Sequence, residues 1–147
     1  MAIKVNQRYR IKRNAKYEEQ MRYLTQDLKI FQDYSSLLVV SAIIGFLNDT
    51  YVPIEKTATD GVLMQFFSEK HYDLMDLLAY SRVKEQSVLT AEDDRKYTIF
   101  EAYANGGFPI LVEKLGVDFV DKSKNDHLEI LRQYYTLLVS DGFKMVK

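Results

Sequence analysis

The two histidines are the first candidates for chemistry, since an imidazole beside a carboxylate can act as a general acid or base. His71 lies two residues before Asp73, and His127 lies between Asp126 and Glu129. Neither histidine has a second one three or four residues away, which is the spacing of a helical metal pair. The plainer interpretation places both imidazoles on the surface near helix starts, and acid/base chemistry remains the alternative.

The other catalytic and cofactor patterns are missing from the sequence. There is no cysteine, which excludes thiolate catalysis, disulfides and sulphur-ligated zinc. Gly106-Gly107 is not followed by Lys-Ser/Thr, and no GxGxxG occurs, so neither phosphate loop is predicted. The amides around Gly106 could still form an anion nest. We therefore predict no catalytic residue, no metal and no cofactor.

The segment 101–111 has the outline of a helix-turn-helix, because a glycine turn separates two apolar helical stretches. The second stretch, Pro109 to Leu115, offers only Glu113 and Lys114 as polar side chains. Two such groups are too few to read base edges. A helical corner inside the core is the preferred interpretation.

The strongest signal is an uneven charge distribution. Residues 1–16 hold six basic residues and no acid, which leaves 14 basic and 21 acidic residues, a formal −7, in the rest of the chain. Such a basic segment can dock on nucleic-acid phosphates, on an acidic partner or on its own body, or it can remain a solvated tail. The predicted DNA- or partner-binding residues are Lys4, Arg8, Tyr9, Arg10, Lys12, Arg13 and Lys16.

Length and composition predict one compact domain. The chain has 147 residues, of which 47% are hydrophobic and 13% aromatic, enough for a single core. We divide it into a basic N-terminal arm, residues 1–15, and a single helical domain, residues 16–147. The basic N-terminus is not followed by the apolar core of a signal sequence, and no stretch approaches the roughly 20 apolar residues of a membrane span, so a cytoplasmic protein without membrane contact is expected.

Hydrophobic periodicity predicts an all-α fold, a compact bundle of about six helices. The predicted helical stretches are about 15–27, 34–47, 60–70, 71–84, 91–105, 110–115 and 126–140, and the third and fourth could be continuous. The stretch 34–47 is apolar nearly all round and is predicted to be the central core helix.

Capping residues set the expected helix ends. Asp33 and Thr90 are predicted N-caps, and Thr59 or Asp60 is expected to cap the third stretch. Asn105-Gly106-Gly107 is predicted to stop one helix, with Pro109 starting a short one that Gly116 closes.

Two stretches carry a family resemblance. Ser41-Ala-Ile-Ile-Gly-Phe followed by Val52-Pro53, and Glu101-Ala-Tyr-Ala-Asn-Gly-Gly followed by Ile110 and Leu111, resemble the small accessory protein of bacterial DNA phosphorothioation (dnd) gene clusters. The similarity runs from about Lys16 to Leu115. The chain departs from the family at Ser41, at Ile43-Ile44 and in its longer C-terminal helix.

The resemblance implies a non-enzymatic accessory role in a bacterial system that marks host DNA and restricts unmarked DNA, an anti-phage defence. The first hypothesis is therefore contact with DNA phosphates, or with the larger proteins of that system, through the basic arm. The second is a protein–protein adaptor or regulator that works through the acidic body without nucleic acid. An enzyme using either histidine is the third, and a homodimer formed through a leftover apolar face is open under each of them.

Overall fold

The computed structural model describes residues 5–146, with side chains described for residues 5–140. This part of the chain is mostly helical, with five α-helices and one two-stranded antiparallel sheet. The elements in chain order are β1 (Arg10–Ile11), α1 (Glu18–Arg22), α2 (Tyr34–Leu47), β2 (Val62–Leu63), α3 (Glu69–Val83), α4 (Arg95–Leu115) and α5 (His127–Val146). About six helices were expected; the structure has five because α4 joins two predicted stretches.

The centre of the fold is the pair α2 and α4, which pack along each other more extensively than any other two elements. α2 begins where Asp33 was predicted to cap it, and the Asp33 carboxylate accepts the backbone N–H of Ser36 at 2.9 Å. Eight of its residues are buried, from Ser35 to Gly45. The prediction of a central core helix over 34–47 is confirmed.

The predicted stop at Gly106-Gly107 is wrong, because α4 continues through both glycines and through Pro109. A Cβ at Gly107 would collide with the backbone oxygen of Ser41, and one at Gly106 with that of Thr50. The glycines therefore allow close approach of backbone to backbone within a helix rather than a turn. Phe108 and Leu111, both fully buried, hold the helix on either side of Pro109.

The predicted helix over 60–70 is also wrong. Val62–Leu63 forms β2, which pairs with β1 so that Ile11 lies opposite Val62. A 3₁₀ turn, Met64–Phe66, follows, and α3 then begins at Glu69. Ser68 caps it: its hydroxyl accepts from the N–H of His71 at 3.4 Å, and the Nδ1 of His71 accepts from the N–H of Ser68 at 3.1 Å.

Thr90 is not an N-cap, since its hydroxyl donates to the backbone oxygen of Ser87 and α4 begins only at Arg95. The first turn of α4 carries a buried cation. Lys96 is fully buried, and its ammonium donates to Asp76 at 2.8 Å and to the backbone oxygen of Leu89 at 3.0 Å. The first bond joins α4 to α3, and the second joins α4 to the 3₁₀ turn Gln86–Leu89 that precedes it.

Neither Thr59 nor Asp60 caps a helix, because β2 follows them, and α5 continues to Val146, past the predicted end at about 140. The other predicted boundaries agree with the structure. A 3₁₀ turn (Ala15–Tyr17), α1 and a π-helical turn (Tyr23–Asp27) follow one another over the predicted stretch 15–27. Gly116, with φ of 70°, ends α4, and α5 begins at His127 beside the Asp126 carboxylate. Between residues 5 and 146, none of the helices combines the length and apolar character that crossing a membrane requires.

Candidate nucleic-acid interface

The N-terminal segment, defined here as residues 5–17, lies against the helices. Val5 and Ile11 are buried in the main core, and Arg10–Ile11 pairs with β2. The segment can pack on the core and still expose its charges because apolar and basic residues alternate in it. In an extended strand, neighbouring side chains point to opposite sides, so Ile11 faces the core while Arg10 and Lys12 face solvent. Residues 5–15, which were expected to be part of a separate arm, thus pack against the body.

Glu101 of α4 holds the middle of this segment. Its carboxylate accepts the hydroxyl of Tyr9 at 2.9 Å and the backbone N–H of Lys12 at 2.7 Å. Glu101 is only 5% exposed, and burial raises its pKa to about 7, although these two donors act in the opposite direction. The segment is therefore attached through one buried acid that titrates near neutral pH.

Tyr97, one turn earlier on α4, provides a second attachment. Its ring stacks on the ring of Tyr9 with centroids 4.5 Å apart. Its hydroxyl accepts the backbone N–H of Asn6 at 2.6 Å and donates to the backbone oxygen of Ala91 at 3.1 Å. Both hydrogen-bonding functions of this buried hydroxyl are satisfied.

Asn105 joins the segment to the loop formed by residues 48–61, called here the α2–β2 loop. The side-chain amide of Asn14 donates to the Asn105 oxygen at 2.9 Å, and the Asn105 amide donates to the backbone oxygen of Val52 at 2.8 Å. The backbones also pair directly, since the N–H of Ala15 donates to the oxygen of Lys56 at 2.9 Å. The helix α4, the loop and the segment thus form one unit.

This unit leaves most of the predicted contact residues at the surface. Arg8, Arg10, Lys12 and Lys16 are exposed, and none of them forms a salt bridge with any described residue. Tyr9 is half-buried against Tyr97 and Glu101, which gives it an anchoring position. Lys4 lies outside the described residues. The sequence analysis missed Lys56, which the backbone pairing brings next to the segment.

Arg13 is placed differently from the other predicted residues, because it is only 3% exposed. Its guanidinium carbon lies 4.2 Å from the centroid of the Tyr34 ring, and its Nη2 donates to the backbone oxygen of Asp60 at 3.1 Å. The Nε and Nη1 atoms have no hydrogen-bond partner among the described residues. In this conformation Arg13 contributes to packing, and its charge is not presented to solvent.

The other candidates from the sequence do not assemble into a site. The Nδ1 atom of His71 is engaged in capping α3, and burial lowers the pKa of this imidazole despite nearby Asp33. The anion nest proposed around Gly106 is not formed, since this glycine lies inside α4 against the Thr50 carbonyl. Within residues 5–146, no group of three or more His, Asp or Glu side chains could hold a metal ion.

The residues that carry the family resemblance meet at this junction. On α4, Glu101 and Asn105 hold the N-terminal segment, the backbone oxygen of Ala102 accepts from Val52 at 3.1 Å, and Gly107 packs on α2 at Ser41. The motif is therefore the structural connection between the central helix pair and the basic segment. A glutamate on the otherwise apolar face of a helix is the sequence signal that could have indicated this role.

A family model described as DNA sulphur modification system-associated protein 4 matches residues 10–143. The chain belongs to this family. The resemblance to dnd accessory proteins is thereby confirmed, and it extends beyond the stretch 16–115 into α5. No curated protein and no solved structure is significantly similar to the chain. Membership of the dnd-associated family supports an accessory role in a DNA sulphur modification system.

Proposed function

We propose that this protein is a non-enzymatic accessory component of a DNA sulphur modification and restriction system, and that it contacts DNA phosphates through the exposed cations of its N-terminal segment. The observation that supports the proposal is the presence of four exposed cations, Arg8, Arg10, Lys12 and Lys16, which form no salt bridge with a described residue and lie on a segment fixed to the body. Family membership supplies the connection to DNA.

A segment that is already docked can bind phosphates at a lower cost in backbone entropy than a flexible tail can. Each cation that neutralises a phosphate releases counterions, and such contacts position a protein on DNA without reading its sequence. A segment already held by Glu101, Tyr97 and Asn105 loses little backbone freedom on binding. The formal −7 of residues 17–147 repels DNA elsewhere and so orients the basic side toward it.

The test is a salt titration of binding to a short duplex, comparing the wild-type chain with the triple variant Arg8→Gln/Arg10→Gln/Lys12→Gln. Each phosphate contact contributes about −0.9 to the slope of log affinity against log salt, so the variant should lose about 2.7 of it. Deleting the segment would be uninformative, because Val5 and Ile11 belong to the core.

The matched control neutralises three exposed lysines elsewhere, Lys70, Lys114 and Lys124, with the same change in net charge. Its slope should remain that of the wild type. If the two triple variants lose the same fraction of the slope, the effect comes from net charge alone and the assignment of the N-terminal segment is wrong.

A second function, the protein–protein adaptor, is favoured by a specific feature of α5. Leu128, Tyr135 and Val139 are 74%, 58% and 76% exposed and recur on one side of the helix. An apolar stripe of this kind in a small protein is typical of a contact surface for a partner protein of the same system or for a second copy. In this case purified system proteins should bind equally to the wild type and to the N-terminal triple variant, and Val139→Glu should abolish the binding.

A further inference from the structure

A cavity of about 540 Å³ lies between the N-terminal segment and the α2–β2 loop. This volume is in the range of small-ligand sites. Its walls mix charged, amide and apolar groups: Asn14, Ala15, Lys16, Tyr17, Val52, Pro53, Glu55, Lys56 and Asn105. The proposed phosphate contacts involve only Lys16 of this set, and no other role accounts for the cavity.

Two cations stand on neighbouring walls. Lys16 belongs to the N-terminal segment and Lys56 to the loop, and the bond between the Ala15 N–H and the Lys56 oxygen, 2.9 Å, brings the two backbones together. Neither ammonium forms a salt bridge with a described residue. Glu55 is the single acid among the lining residues, so this part of the wall has an excess of one positive charge.

The third wall is apolar and fixed. Val52 is 48% exposed and Pro53 is exposed next to it. The backbone of Val52 is held on both sides by α4, because its N–H donates to the oxygen of Ala102 at 3.1 Å and its oxygen accepts the Asn105 amide at 2.8 Å. An apolar surface at the rim of a cationic cavity is unfavourable for a fully hydrated phosphate.

We infer that the cavity binds a sulphur-modified phosphodiester of the DNA backbone; the inference rests on the proposed function. Replacing a non-bridging phosphate oxygen by sulphur keeps the negative charge, which Lys16 and Lys56 would neutralise. The sulphur atom is larger and more weakly hydrated than oxygen, so placing it against Val52 and Pro53 breaks fewer hydrogen bonds to water. The cavity would thus distinguish modified from unmodified linkages.

The experiment measures binding of the full-length chain to two short duplexes of identical sequence by fluorescence anisotropy. One duplex has a single phosphorothioate linkage, tested as each of its two stereoisomers, and the other has phosphates throughout. We expect at least one phosphorothioate duplex to bind about threefold more tightly or better. Equal affinity for the duplexes would overturn the inference.

Two variants test the apolar wall. Val52→Ser should reduce the preference to about onefold, because the affinity for the phosphorothioate duplex falls toward that for the unmodified duplex; the fold should be kept, since the Val52 side chain is 48% exposed and its backbone makes the contacts with α4. Val120→Ser is the matched control, since this valine is 99% exposed and lies outside the cavity. A preference that persists in Val52→Ser would refute the assignment to this cavity.

The cationic wall is tested by Lys56→Gln, with Lys70→Gln as the control of equal charge. Lys56→Gln should weaken binding to both duplexes, by several-fold at low salt. Unchanged affinity would remove Lys56 from the site.

If both duplexes bind equally and the N-terminal triple variant loses binding, the proposed DNA contact stands and only the sulphur site fails. If neither duplex binds the wild type, the proposed function fails and this inference fails with it.

Discussion

The hydroxyl of Tyr9 donates a 2.9 Å hydrogen bond to the carboxylate of Glu101, which lies 92 residues later in the chain. The same carboxylate accepts the backbone N–H of Lys12. One buried acid on α4 therefore holds the N-terminal segment at two points. The presentation of the exposed cations Arg10 and Lys12 depends on this contact.

Removing the Tyr9 hydroxyl should destabilise the protein. In Tyr9→Phe the Glu101 carboxylate loses one of its two donors while the ring can still stack on Tyr97. At pH 8, where the Glu101 carboxylate is mostly ionised, a hydrogen bond to it contributes about 1.5–3 kcal/mol, so we expect the free energy of unfolding in urea to fall by about that amount. Tyr135→Phe is the control: this ring is 58% exposed, and its loss should stay within about 0.5 kcal/mol. Equal losses in both variants would contradict the anchoring role.

The raised pKa of Glu101 predicts a pH dependence of stability. In the folded chain burial raises this pKa from 4.5 to about 7, so the folded state binds a proton that the unfolded state has already released. The free energy of unfolding should therefore fall as the pH rises from about 4.5 to 7, by an amount on the order of 3 kcal/mol, and level off above 7. Urea titrations at several pH values measure this change in the free energy of unfolding.

Glu101→Gln isolates this contribution. The glutamine oxygen can still accept from Lys12, but the side chain does not titrate. His71, whose pKa burial lowers, acts with the opposite sign, because its stabilising neutral form is lost as the pH falls. The difference between wild type and variant removes that effect. A difference that is constant from pH 4.5 to 8 would show that Glu101 does not titrate in this range.

The sequence was sufficient to predict the helices whose ends are set by residues close to them in the chain. The Asp33 cap and the apolar stretch after it predict α2 correctly at both ends, and Gly116 correctly ends α4. The strand β2 was misread as helix, because Val62–Leu63 is defined by its pairing with Arg10–Ile11, some fifty residues away in the chain. The burial of Arg13 and Lys96 has the same origin, since charged residues are read as exposed unless a distant partner is known.

The basic character of the candidate site could be predicted from the sequence, but the exposure of its individual residues could not, for a related reason. The count of cations in residues 1–16 indicates a basic surface, but it does not show which of them remain exposed. Arg8 and Arg13 look equivalent in the sequence; docking of the segment on α4 and β2 exposes the first and buries the second. Lys56 joins the site through a backbone bond to Ala15 that no local pattern encodes.

Gly107→Ala should be strongly destabilising although alanine is the better helix former. Helix propensity favours alanine over glycine by about 1 kcal/mol. The new Cβ would collide with the backbone oxygen of Ser41 and force α2 and α4 apart, which should cost more than about 3 kcal/mol. Gly116→Ala provides the comparison: nothing lies near its Cβ, and the cost, about 1–2 kcal/mol, comes from the positive φ alone. Chemical denaturation that ranks the two variants in the reverse order would contradict the packing argument.

Arg13→Met should separate packing from phosphate contact. The Arg13 guanidinium is buried, and two of its nitrogen atoms have no hydrogen-bond partner among the described residues. The unbranched apolar side chain of methionine fills part of the same space without a desolvated charge. We expect the free energy of unfolding to stay within about 1 kcal/mol of the wild type or to rise, and the salt dependence of DNA binding to remain unchanged.

Arg10→Gln is the matched variant, because Arg10 is exposed and three residues away. It should leave the free energy of unfolding unchanged and reduce the slope of log affinity against log salt by about 0.9. The two variants should therefore differ in the salt dependence of DNA binding, which only Arg10→Gln reduces, while neither loses stability. An equal loss of slope in Arg13→Met would mean that Arg13 leaves the core when DNA binds, in which case the N-terminal segment rearranges and does not bind as the docked unit described above.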